Sequence, residues 1–263
     1  MKIKWAPLYT DPRAYPGRGI HGQVVQAIGR RLVTGDIPPG SLLPREPELV
    51  EELGVSRSAI REAIKVLVAK GLLETRPKTG TRVRPRASWN LLDPDVLGWH
   101  SLDTLDDGFV RDLLEMRQLI EPAAAAMAAR RAEPEDIDRI ARSCSEMAGA
   151  LDDPASYYAA DLVFHTSVFL ACHNQFLERL ASIVRTVIEF SFKLQRRSLI
   201  KPEESIGMHR AVLEAIERKD SGAAQTAMGV ILARAGEELD RFQASRTHDT
   251  GPASAGGSRS PSI

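Results

Sequence analysis

The chain has 263 residues, of which 43% are hydrophobic and 27% charged, the balance of a folded, water-soluble protein long enough for two domains. No apolar run approaches the roughly 18 residues that span a bilayer. Met1-Lys2-Ile3-Lys4-Trp5 lacks the apolar stretch of a signal peptide, and Cys144 and Cys172 suggest neither a disulfide framework nor a thiolate metal site. A cytoplasmic protein with no membrane partner is expected. The zero net charge conceals an asymmetry, with 16 Lys/Arg against 8 Asp/Glu up to Asn90 and 19 against 27 beyond it. A polyanion-binding surface is therefore expected in the first third alone.

In chain order, residues 1–19 are rich in Pro and Gly and read as a flexible arm. Apolar spacing at Val24, Val25, Ile28 and Leu32 predicts a helix over 21–34, ended by Gly35. Two prolines and a glycine make 36–40 a turn. A short helix follows over 46–53, closed by Gly54. Ser56 is placed to cap a further helix over 57–70, whose buried stripe is Ile60, Ile64, Leu67 and Val68 and whose stop is Gly71. Residues 72–75 and 81–84 read as two strands around a basic tip, Arg76-Pro77-Lys78-Thr79-Gly80.

Helix, helix, turn, helix and hairpin over 20–86 make a winged helix-turn-helix. The first turns of the third helix present Ser56, Arg57, Ser58, Ala59 and Arg61, which are hydroxyls, guanidiniums and one small residue. Such residues suit entry into a major groove and contact with phosphates and guanine edges. Arg45, Ser56, Arg57, Ser58, Arg61, Lys78, Gly80 and Arg82 form the candidate set for double-stranded operator DNA. The segments Leu43-Pro44-Arg45-Glu46-Pro47-Glu48-Leu49 and Leu53-Gly54-Val55-Ser56-Arg57-Ser58-Ala59-Ile60-Arg61-Glu62-Ala63 resemble the DNA-binding domain of GntR-type bacterial repressors. That resemblance implies a dimer on DNA, with Arg57, Arg61 and Gly80 at the interface. Pro47 stands where many members carry an arginine.

Residues 87–108, from Trp89-Asn90-Leu91-Leu92-Asp93-Pro94 onward, read as a linker. Beyond them lie only helical patterns, over 109–131, 134–150, 154–172, 174–198, 203–219 and 221–243. The fold class is thus mainly α, a winged helix followed by an all-helical bundle over 109–243. A Ser/Gly/Thr/Pro-rich tail over 244–263 is expected to be disordered.

Inside the bundle, Asp161 and His165 are spaced i and i+4 on one helix face, and His209 offers a second imidazole. Such a set can ligate a divalent ion, zinc above all, or form a plain hydrogen-bonded pair. Glu115-Met116-Arg117-Gln118-Leu119-Ile120-Glu121-Pro122, Asp161 to His165 and Met208-His209-Arg210-Ala211 resemble the FCD effector domain of the FadR branch. The resemblance implies that Asp161, His165 and His209 hold a metal. It places Ile231 where a last histidine is expected, with His173 as a weaker substitute.

Arg117, on a helix otherwise apolar toward the core, is a candidate clamp for a carboxylate effector, or an ion-pair partner of Glu121. Arg185 and Ser205 are further effector candidates. The linker sequence and the missing histidine look like those of galactonate-operon repressors, which implies a homodimeric regulator, not an enzyme, released by a sugar acid. Two other functions fit less well. One is a metal-dependent hydrolase of small acids using Glu121 as base; the other is an architectural DNA binder with no effector.

Overall fold

The structure is a computed structural model that describes Tyr15, residues 19–100, residues 107–181, Val184 and residues 202–249. Its first unit holds α1 (Gly19–Val33), α2 (Glu46–Leu53), α3 (Arg57–Ala69) and a hairpin of β1 (Leu73–Arg76) and β2 (Gly80–Val83). Helix α3 begins where Ser56 Oγ accepts from the Ala59 N–H at 3.3 Å. It ends because Gly71, at φ +80°, turns the chain left-handed. The Leu72 N–H then reaches back to Leu67 O at 3.0 Å, which satisfies an otherwise orphaned carbonyl.

The hairpin lies one residue off the expected strands, at 73–76 and 80–83. Leu72 is consumed by that helix-ending bond, and Leu73 pairs with Val83 so that both face the core. The turn spans 77–79, with Lys78 at φ +67° and Gly80 at φ +88°. Sequence patterning missed a third stretch of ladder. Gly40 N–H donates to Val83 O at 2.9 Å and Leu43 N–H to Thr81 O at 2.8 Å, and Leu42 bridges Arg82. Proline and glycine set the turn before this stretch, but 41–43 is extended and closes the free edge of β2.

The segment expected as a linker is docked on this unit. Trp89, Val96 and Trp99 belong to the same buried core as Ile28, Leu32, Ile60 and Leu67. Asp93 caps α4 (Pro94–Trp99), accepting from the Asp95 N–H at 2.9 Å. Lys70 Nζ, largely buried, lies 2.9 Å from Asp93 and 2.6 Å from Asp95. The Trp99 indole donates to Gln26 Oε1 at 2.7 Å and lies flat over Gly29, where a Cβ would come within 2.7 Å of the ring. On its other side Leu97 packs with Leu113, Phe109, Met116 and Leu180 of the bundle.

The bundle comprises α5 (Asp107–Arg131), α6 (Pro134–Gly149), α7 (Pro154–Ala171), α8 (Gln175–Glu178), α9 (Pro202–Glu217) and α10 (Ser221–Asp249). Helix α5 lies along α10 and touches α7, α6 packs on α7, and α9 packs on α10. Phe164, Phe169, Ile140 and Met147 fill the centre. Proline opens α6, α7 and α9, where its missing N–H costs nothing. Most of the helix expected over 174–198 lies outside the described residues.

The last helix runs to Asp249, so 244–249 is helical where a disordered tail was expected. Apolar periodicity fades near 243, but no helix breaker occurs before Gly251-Pro252. Among the described residues, no helix is long and apolar enough to cross a membrane.

Gly29→Ala tests the docking of α4. Alanine favours a helix by up to about 1 kcal/mol over glycine, yet here the methyl overlaps Trp99. Gly29→Ala is expected to lower stability in urea melts by about 1–3 kcal/mol. In a Trp99→Leu background the same change is expected to be neutral or stabilising. A stabilising effect with Trp99 intact would show that the ring does not seat on α1.

Candidate DNA-binding face and buried ligand cluster

The cationic candidates of the first unit, Arg45, Arg57, Arg61, Lys78 and Arg82, are all exposed. Arg45 precedes α2, its N–H donating to Glu48 at 3.0 Å. Arg57 and Ser58 occupy the exposed first turn of α3, and Ser56 Oγ lies 2.9 Å from Ser58 Oγ. Arg61 is one turn further on, its Nε donating to both oxygens of Glu46 at 3.1 and 2.9 Å. Lys78 stands at the tip of the wing. Arg82 pairs across the ladder with Glu74 and donates from Nη1 to the Gly40 carbonyl. Glu46 was missed at the sequence level, because its partner is 15 residues away on another helix. Pro47 sits in the first turn of α2, the position proline tolerates best.

The second constellation lies inside the bundle. Asp161 and His165 on α7 and His209 on α9 bring one ligand atom each to within 4.8 Å of one another. Asp161 Oδ1 is 2.9 Å from His209 Nε2 and 3.6 Å from His165 Nε2. His165 Nδ1 contacts Glu121 Oε2 at 2.5 Å, and His209 Nδ1 contacts the Ser205 carbonyl at 2.7 Å. A carbonyl only accepts, so His209 Nδ1 carries a proton, and its Nε2, when the ring is neutral, is an unprotonated nitrogen with a free lone pair. An ionised Glu121 imposes the same tautomer on His165. His209 Nε2 is fully buried and has no aligned hydrogen bond among the described residues, although Asp161 Oδ1 is close.

Burial would raise the pKa of both carboxyls here. Nearby groups outweigh it. His209, His165 and Arg117 hold Asp161 below the ordinary carboxylate range, and Arg117 and His165 hold Glu121 down at about 2. Both acids are therefore anions at neutral pH. Phe164 presents its ring edge-on to both imidazoles, at 5.5 and 4.7 Å between centroids, and fixes the shape of the cluster's apolar side.

The other candidates fall out as follows. Arg117 is buried and its Nε is engaged by Glu121 at i+4, so the ion-pair alternative describes its partner here. Each oxygen of Glu121, the residue weighed as a base for a hydrolase, already has a protein partner, Arg117 on one and His165 on the other. Ser205 Oγ accepts from Tyr157 OH at 2.7 Å while its carbonyl pins His209, so it lies beside the cluster.

Arg185 lies outside the described residues. Ile231 is buried in the bundle core. His173 is not its substitute: it ends α7 at φ +44° and contacts Asp136 at 2.8 Å. Cys144 and Cys172 are free and buried, and burial pushes the Cys144 thiol up to about 12.

Comparison with known proteins agrees with this division. Residues 20–83 match the bacterial regulatory proteins of the gntR family, and residues 112–234 match the FCD domain. The chain is 34% identical over 221 residues to the galactonate operon transcriptional repressor of Escherichia coli strain K12, covering 82% of this chain and 95% of that one. It is 32% identical over 212 residues to the Uxu operon transcriptional regulator of the same strain, covering 78% and 80%. A solved structure of Lar, which controls expression of the Listeria monocytogenes agr system, covers 85% of this chain and 98% of its own. Its TM-score is 0.60 at 20% identity, which speaks for the fold alone.

The Arg117–Glu121 pair sets an energetic test. Arg117→Met leaves a buried carboxylate short of its main counter-charge and is expected to cost about 3–5 kcal/mol in denaturant melts. The Arg117→Met/Glu121→Met double variant, which removes both charges at similar volume, is expected to recover most of that loss. Equal losses in the single and double variants would mean that the pair is not coupled.

Proposed function

This chain belongs to the FCD-bearing branch of the gntR family of bacterial transcription regulators, and from that premise we propose that it is a homodimeric, effector-responsive repressor. In this reading residues 20–86 bind palindromic operator DNA, and a small carboxylate entering the bundle releases it. One observation carries the proposal. An exposed cationic winged helix and a buried Asp161–His165–His209 cluster occur in one chain, joined by a segment packed against both units.

On the DNA side, the bare N–H groups at the start of α3, with Ser56 and Ser58, suit phosphates. Arg57 and Arg61, exposed on the same turns, would supply guanidiniums to guanine edges or phosphates. Lys78 and Arg82 on the wing add phosphate contacts. Arg61 must leave Glu46, or share it, to reach DNA, and because both side chains are solvent-exposed that rearrangement costs little.

The bundle cluster fits a divalent ion. One carboxylate oxygen and two bare imidazole nitrogens form a donor set suited to zinc. His209 Nε2, buried without an aligned hydrogen bond, is the atom such an ion would satisfy. Asp161, His165 and His209 would hold it, and when bound it would supply positive charge for an anionic ligand. Arg117, Tyr157 and Ser205 lie around the cluster as candidate effector contacts. The Escherichia coli galactonate operon repressor, 34% identical, directs the choice of ligand toward sugar acids.

Release follows as a shift between two dimer geometries, because two heads must sit about one DNA turn apart to read a palindrome. The effector can move that balance only by its difference in affinity for the two geometries. Since α4 is packed into the head and meets α5 through Leu97 and Leu113, motion of α5 reaches the head by contact.

Two measurements test the reading. In fluorescence anisotropy on an operator fragment, Arg61→Ala is expected to weaken binding at least about tenfold and to lower the slope of log K against log salt by about 1. Binding insensitive to salt would remove the DNA reading. A thermal-shift screen of aldonates and 2-keto-3-deoxy-aldonates is expected to give a stabilising acid that also lowers operator affinity and loses both effects with chelator or Asp161→Asn. If no acid changes either quantity, the protein binds DNA without this sensor.

A further inference from the structure

We propose that Glu121 is a positioning residue for the bundle's metal site. It locks His165 with Nδ1 protonated and Nε2 bare toward Asp161 and His209, and is itself held by Arg117. The inference rests on the metal reading above and concerns a residue that ligates nothing.

Three observations point to it. Glu121, His165 and Arg117 are 1%, 2% and 3% exposed, so bulk water does not reach the imidazole and Glu121 is the group that contacts its Nδ1. The Glu121 carboxylate divides its oxygens between two helices, Oε1 to Arg117 on its own α5 and Oε2 across to His165 on α7 at 2.5 Å. Neutralising Arg117 required only one oxygen, so the second contact is an addition to charge balance. Finally, the two imidazoles are secured unequally: His209 by the Ser205 carbonyl, His165 by a carboxyl group paired with the Arg117 guanidinium.

An anionic acceptor on Nδ1 pushes electron density through the ring and makes the opposite nitrogen a stronger donor. That asymmetry has a use in this chain. The cluster has three ligands among the described residues, and Ile231 on α10 is an alkyl side chain that can donate nothing. A site with fewer ligands depends more on the donor strength and fixed orientation of each. Glu121 strengthens and orients His165, and Arg117 keeps Glu121 anionic and aimed. The same two residues tie α5, the helix that meets α4 at Leu113, to the metal ligand on α7.

The test uses the full chain and zinc as probe, with affinity from competition against a chromogenic chelator and the His165 tautomer from nitrogen-15 histidine spectra of metal-free protein. His165→Gln assigns the resonance. Glu121→Gln is expected to weaken zinc by about 10–100-fold and to change the His165 proton signature, leaving His209 as in the wild type. Asp161→Asn and His209→Ala report on the ligands themselves.

If those two variants lose zinc while Glu121→Gln keeps both affinity and tautomer, Glu121 merely balances Arg117 and the proposal is overturned with the metal site intact. If the wild type does not bind zinc, the metal reading fails by itself. The tautomer comparison then decides whether Glu121 still sets His165. Should Glu121→Gln fail to fold, the Arg117→Met/Glu121→Met variant takes its place, and unchanged zinc affinity there overturns the proposal equally.

Discussion

Charge buried in a helical bundle is tolerated only when each group finds a partner, and the second half of this protein is organised by that requirement. Arg117, Glu121, His165, Asp161 and His209 form a continuous polar chain through a core otherwise made of alanine, phenylalanine and branched aliphatic side chains. An isolated ion there would cost several kcal/mol, and removing one partner exposes that cost at once. The chain runs from α5 to α7 to α9, so three helices are held in register by it. Small residues such as Ala124, Ala125 and Ala128 on α5 let α5 approach its neighbours closely, and this approach brings Glu121 within reach of His165.

Polar continuity of this kind commits each acid of the cluster to a protein partner. Both oxygens of Glu121 are committed, and the imidazoles are fixed by Nδ1 donations that leave their other nitrogens bare. Catalysis would need a base free to accept a proton beside the bound molecule. Binding needs only shape, charge and a way to pass on the strain of occupancy. The family to which the chain belongs is one of regulators, and the chemistry of the cluster is consistent with that.

Legibility in the sequence followed distance along the chain. Helix α2 came out at its observed bounds and Ser56 was placed as a cap, because capping and glycine stops act over three or four residues. Asp161 and His165, or Arg117 and Glu121, declare themselves at i and i+4. The bond between Glu121 and His165 spans 44 positions, and that between Arg61 and Glu46 spans 15, with no periodic signature to reveal either. The ladder at 40–43 was hidden for another reason. Its pairing is decided by the free edge of β2, not by its own residues. The docked α4 was half visible, since Asp93-Pro94 marks a helix start, but the seat for Trp99 depends on Gly29, 70 residues earlier.

That seat alters how the two halves communicate. A flexible tether would pass on nothing but distance, and effector binding could then act on DNA only by changing how far apart the heads drift. Here Trp89, Val96 and Trp99 make α4 part of the head, locked further by Lys70 between Asp93 and Asp95. The mechanical joint is therefore not the segment nearest the head, and it moves outward to the contact of Leu97 with Leu113, Phe109 and Met116. A packed joint has a small number of arrangements, because close-packed side chains interlock instead of deforming continuously. Arg117 lies one helical turn beyond Leu113 on α5, so under the proposed mechanism a ligand that draws on Arg117 would act on the helix that meets α4, and the two-geometry shift would have a physical lever at that turn.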